Sequence, residues 1–94
     1  MIAFDRGPRF DSGEIIVTDG AAEKIPPADV QAALRRHLRG DWGEFGPEDR
    51  RRNDEILELG GTLASIYTAS NGVKFYVLTE SDRSVTTVLL PDEY

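Results

Sequence analysis

The spacing of apolar and polar positions divides the chain into helical patterns in its first two thirds and strand patterns in its last third. Glu14-Ile15-Ile16-Val17-Thr18 is a short β-branched run and predicts a strand. Before it, Arg6-Gly7-Pro8-Arg9 and Asp11-Ser12-Gly13 hold turn chemistry, which predicts an irregular N-terminal arm over residues 1–13. Asp19 is placed to cap a single helical turn over residues 21–25, and Pro26-Pro27 stops it. Val30, Ala33, Leu34, His37 and Leu38 recur at helical spacing, with Pro27 at the start and Gly40 at the end. Pro47-Glu48-Asp49 opens a second main helix that runs to about Leu59, with a thin apolar side of Ile56, Leu57 and Leu59 beside Asn53. Between the two, the glycine-spaced loop 40–46 carries Trp42 and Phe45, which are expected to fold back onto the core.

The remainder predicts a three-stranded antiparallel meander: Thr62 to Ser70, Val73 to Ser81, and Ser84 to Leu90. Asn71-Gly72 is a strong hairpin signal, and as a two-residue turn it pairs Thr68 with Phe75, Ile66 with Val77 and Ala64 with Thr79. Across Asp82-Arg83 the register pairs Val88 with Val77 and Leu90 with Phe75. That face should meet the helices. The other face would carry Tyr67, Tyr76, Leu78, Val85 and Leu89. It is apolar enough to need cover from the N-terminal arm or from a second copy of the chain, so these five residues are a candidate self-association surface and a homodimer is expected. The fold expected is α+β, with two main helices packed on a small antiparallel sheet that the N-terminal strand joins. Residues 1–94 form a single domain.

Composition narrows the chemistry. There is no cysteine and only one histidine, so disulfides, thiolate metal sites and any site needing two imidazoles are absent, and no cofactor or metal is expected. The longest apolar run, Val88-Leu89-Leu90, is too short for a bilayer. The N-terminus lacks the order of a signal peptide, so a cytoplasmic protein with no membrane partner is expected. The net charge of −6 argues against direct nucleic-acid binding. Charge is uneven: residues 35–52 carry an arginine island (Arg35, Arg36, Arg39, Arg50, Arg51, Arg52) between two acidic stretches, for which a solvated helical surface with local ion pairs is expected and an anion or partner site is the alternative.

His37 is the one conventional proton-transfer group near neutrality. Its place beside Leu34 and Leu38 predicts a buried histidine bonded to neighbouring polar groups. The catalytic alternative combines His37 with Glu80, Arg83 and Thr87, and with Thr86, Tyr67 or Tyr94 in reach, as a metal-independent ribonuclease site. Thr79 to Ser84 is the densest polar segment, and a turn at Asp82-Arg83 accounts for it. No phosphate-binding glycine loop or nucleophile elbow is present.

Several runs carry a resemblance: His37-Leu38-Arg39-Gly40-Asp41-Trp42-Gly43, then Asn53, then Gly60-Gly61, and a closing run from Leu78 to Tyr94 that contains Thr79-Glu80-Ser81-Asp82-Arg83-Ser84 and Pro91-Asp92-Glu93-Tyr94. In these the chain resembles a family of short, largely uncharacterised proteins encoded on plasmids, phages and integrative elements. The resemblance implies an inhibitor of host defence, of the anti-CRISPR or antirestriction kind. Its partner would be a nucleic-acid-binding defence complex, contacted through Asp82, Arg83, Asp92 and Glu93. An accessory or regulatory dimer of a mobile element is the other role such proteins take. The helices-then-sheet order is also similar to RelE-like and barnase-like ribonucleases, from which the chain departs in its acidity and its single histidine.

Overall fold

In the computed structural model, which describes residues 8–94, strand β1 (Glu14–Val17) leads through helix α1 (Asp19–Lys24) into α2 (Pro27–Leu38) and α3 (Pro47–Leu59). The chain then builds the meander β2 (Leu63–Thr68), β3 (Lys74–Thr79) and β4 (Val85–Leu89) and closes on a 3-10 turn at Pro91–Glu93. The sheet order is β1-β4-β3-β2, and β1 runs parallel to β4, so the sheet is mixed rather than purely antiparallel. The fold is therefore α+β, with two main helices and a four-stranded sheet.

The helix starts follow local chemistry. Thr18, not Asp19, caps α1: its hydroxyl oxygen accepts from the Ala21 amide at 3.1 Å. Pro27 and Pro47 each open a helix where their missing amide hydrogen costs nothing. Gly40, at φ +82°, lets the chain turn sharply after α2. Val30, Ala33 and His37 are the buried positions of α2, as their spacing predicts. Only Asn53 of α3 is buried, which makes α3 a largely exposed cover.

The β3–β4 register is the predicted one, with Val77 opposite Val88. The β2–β3 register is not. Tyr67 pairs with Phe75, Ser65 with Val77 and Ile66 with Tyr76. The turn uses three residues, Ser70 to Gly72: the Ala69 amide bonds the Val73 carbonyl at 2.8 Å, and Gly72 takes φ +87°. One added loop residue exchanges the faces of β2. Leu63, Ser65 and Tyr67 therefore point into the core with Phe75, Val77, Thr79, Thr86 and Val88, while Ala64 and Ile66 lie on the outer face. Tyr67, expected on the outer face, is 2% exposed.

The core joins Ala21 of α1, Ile25 just after it, and Val30 and Ala33 of α2 to Tyr67, Phe75, Val77, Val88 and Leu90. Trp42 turns back onto the helix-side face beside His37. The arm takes the same side: Phe10 packs edge-on to His37 at 5.4 Å and alongside Trp42 at 6.2 Å. Residues 8–13 therefore do not cover the outer face. The part of the expected arm at residues 1–7 lies outside the described residues. Among the described residues no helix is long and apolar enough to cross a membrane.

Candidate functional site

His37 sits at the centre of a hydrogen-bonded chain. Its Nδ1 is 2.6 Å from Ser65 Oγ and its Nε2 is 2.9 Å from Thr79 Oγ1. Thr79 Oγ1 lies 2.8 Å from Thr86 Oγ1, which donates to the Ser12 carbonyl at 2.8 Å. That last carbonyl can only accept, and this orders every proton behind it. Thr79 donates to Thr86, His37 Nε2–H donates to Thr79, and Ser65 donates to His37 Nδ1. The ring is neutral and held in one tautomer. Burial, and to a smaller extent the nearby Arg83 charge, together push its pKa down to about 4. His37, Ser65, Thr79 and Thr86 are each fully buried.

Of the other residues of the ribonuclease alternative, Thr86 joins this chain of bonds and the Arg83 charge reaches the ring, but Thr87, Glu80 and Tyr94 lie away from it. Thr87 belongs to the outer face, because its neighbours Thr86 and Val88 point inward. Glu80 is exposed beyond the end of β3. Arg83 is tied into its own loop: at φ +62° its Nη1 donates to the carbonyls of Gly61 at 2.6 Å and Glu80 at 3.0 Å. Its guanidinium also lies over Phe10, 5.7 Å from the ring centre. Tyr94 stands on the outer face, 5.8 Å from Tyr76.

The candidate partner residues fall into two groups. Asp82 and Arg83 precede β4, whereas Asp92 and Glu93 follow it. Asp82 accepts from the amide and hydroxyl of Ser84, which hold its carboxyl below the usual carboxylate range. Glu93 accepts from the Thr18 hydroxyl at 2.6 Å and the Leu90 amide at 2.8 Å, with the same consequence. Both carboxylates therefore serve the fold. Asp92 is exposed, and among the described residues no hydrogen bond or ion pair constrains it. In the arginine island, Arg36 pairs with Asp41 at 2.7 Å and covers the Tyr67 ring at 4.7 Å.

The outer face holds an open groove of about 450 Å³, lined by Phe45, Ala64, Ile66, Tyr76, Leu78, Pro91 and Tyr94. Tyr76 and Leu78 were expected there, and Val85 and Leu89 lie on the same face. Leu89 is buried and Val85 half-buried, so neither is freely available. Ala64, Ile66, Phe45 and Tyr94 were missed. A three-residue reading of Ser70-Asn71-Gly72 would have found the first two. Phe45 and Tyr94 reach the groove through loop geometry that carries no periodic signal. The chain matches no known family model, no curated protein and no solved structure.

Proposed function

We propose that this protein acts by binding, as an inhibitor that occupies the basic nucleic-acid-binding surface of a cytoplasmic host defence complex of the CRISPR or restriction kind. The observation that carries this reading is the division between a sealed histidine and an open, acid-flanked apolar face. The ring best suited to proton transfer near neutrality is buried with both nitrogens engaged. Exposed acids gather instead beyond both ends of β4. Asp11, Glu14, Glu80 and Asp82 lie at one end, where the Glu14 amide bonds the Ser84 carbonyl. Asp19, Glu23, Asp92 and Glu93 lie at the other, where Gly20 abuts the Glu93 carboxylate. Between them the groove offers aromatic and aliphatic surface of the kind that supplies interface energy. Acids on the rim would steer a basic partner and suppress wrong ones.

The test is phage plating or plasmid transformation in cells that carry a restriction or CRISPR interference system. Expression of the wild-type protein should relieve interference. The Glu23→Lys, Asp92→Lys double variant alters exposed carboxylates with no structural bond, and should lose that relief while melting as the wild type does. Protection unaffected by the charge reversal, or none against any system tried, would sink the proposal. RNA cleavage that disappears in His37→Gln would replace it with the ribonuclease.

A further inference from the structure

The two edges of the sheet are finished differently. In the β2–β3 ladder the backbone groups of Ala64 and Ile66 face away from β3, toward the edge. Both are taken. The Asn53 side chain donates to the Ala64 carbonyl at 3.1 Å and accepts from its amide at 3.4 Å. The Ile66 amide bonds the Trp42 carbonyl at 3.3 Å, and its own carbonyl accepts from Glu44 at 2.8 Å. Asn53 and the segment 42–44 thus act as a substitute fifth strand.

Among the described residues the β1 edge has no such finish. Glu14 and Thr18 donate to the Ser84 and Val88 carbonyls of the β4 side. The parallel ladder therefore turns the even-numbered residues toward β4 and the backbone groups of Ile15 and Val17 outward. Among the described residues no strand or side chain takes them. The side chains are unfinished too: Ile15 is 46% and Ile16 42% exposed, uncommon on a strand that natural proteins would otherwise blunt with charge or proline.

We propose that the open edge of β1 pairs antiparallel with β1 of a second copy, giving a two-fold dimer with one continuous eight-stranded sheet. Ile15 and Val17 are the residues of β1 with outward groups, and the register that pairs both of them within the two strands has Ile15 exchange its amide and carbonyl bonds with Val17 of the second copy, and Val17 with Ile15. The two-fold axis then passes through the pair formed by Ile16 and its own copy. This register is self-complementary in charge. Glu14 faces Thr18 rather than another Glu14, so the only charged residue of the strand has no like charge opposite. It also joins the exposed Ile16 pair on the outer face, and it covers Ile15 with Val17 on the helix side. The inference goes beyond the binding role above and stands independently of it.

Sedimentation velocity across a micromolar to sub-millimolar series tests it. The wild-type protein should pass from monomer to dimer as concentration rises. Ile16→Lys places two like charges at the axis and should weaken dimerisation about tenfold or more. Its melting should stay that of the monomer, because the side chain is half exposed. A second test uses the absence of cysteine from the chain. Residues opposed at a non-hydrogen-bonded antiparallel pair lie about 4.5 Å apart at Cα, within disulfide reach. Ile16→Cys should therefore cross-link to a dimer under mild oxidation far faster than Leu59→Cys, whose site on α3 is 86% exposed. A wild type that stays monomeric throughout, a dimer that Ile16→Lys leaves intact, or equal cross-linking of the two cysteine variants would overturn the proposal. So would a monomer that binds another protein's strand at this edge.

Discussion

At the scale of single residues, His37 and Trp42 carry the sharpest consequences. The His37 ring is neutral in the fold, with its pKa near 4 against an ordinary value of 6.5. Between those values the unfolded chain holds more protons than the folded one. The contribution is therefore fully present above about pH 6.5, is lost as pH falls toward 4, and does not change further below that. The span corresponds to about 3 kcal/mol at most. Urea denaturation at stepped pH should show this slope in the wild type. His37→Gln can donate to Thr79 and accept from Ser65 as the imidazole does, but it does not titrate. The variant should keep most of its stability at pH 7 and lose the slope between pH 4.5 and 6.5; an unchanged slope would mean another group is responsible. Thr79→Val breaks the same chain in the middle and should cost about 1–3 kcal/mol, since His37 Nε2–H is left without an acceptor. Trp42 is 2% exposed, and its Nε1 donates to Asp54 at 2.9 Å. Trp42→Ala should lower stability by about 3–5 kcal/mol in the same assay.

At the scale of elements, the glycines in left-handed backbone separate strain from crowding. Gly72 and Gly43 have similar φ values, +87° and +76°. A Cβ at Gly72 would meet nothing within 4 Å, whereas at Gly43 it would lie 2.0 Å from the Ile66 carbonyl oxygen. Gly72→Ala should therefore cost only about 1–2 kcal/mol of backbone strain. Gly43→Ala should cost clearly more, because it pushes the 42–44 segment off the β2 edge and with it Trp42. Equal melting temperatures for the two variants would show that the 42–44 segment yields freely. Hairpin geometry also explains how far the sequence could be read here. Strand positions followed from β-branched alternation, and the β3–β4 register followed too. The β2–β3 register turned on a single residue of loop length, which Asn71-Gly72 does not specify: the pair serves a two-residue turn or the end of a three-residue one.

At the scale of the whole molecule, the outer face decides what the protein can touch. Tyr94 stands over Tyr76 as a partial lid on the groove and is itself 77% exposed. Tyr94→Ala should change stability by less than about 1 kcal/mol, because little area is lost from water contact. It should nonetheless reduce relief of interference in the plating assay if the groove is the contact surface. Full relief by a Tyr94→Ala protein would move the contact to the acidic ends of β4. A dimer through β1 leaves both groove copies on one broad sheet face, so the two surfaces are compatible.

The sequence alone determined the order of elements, the helix faces and the α+β class. Each rests on local periodicity, proline and glycine placement, and side-chain volume, which act over a few residues. It also marked His37 as a core residue, because the ring falls on the apolar stripe of α2. Tertiary structure alone decided the partners of that ring, since Ser65, Thr79 and Thr86 come from three different strands. It decided that the arm packs on the helix side through Phe10. It decided as well that Asn53 and Trp42–Glu44 finish one edge of the sheet while no described residue finishes the β1 edge. Hydrogen bonds between groups distant in the chain leave no mark in composition or spacing, because only the fold brings their donors and acceptors together.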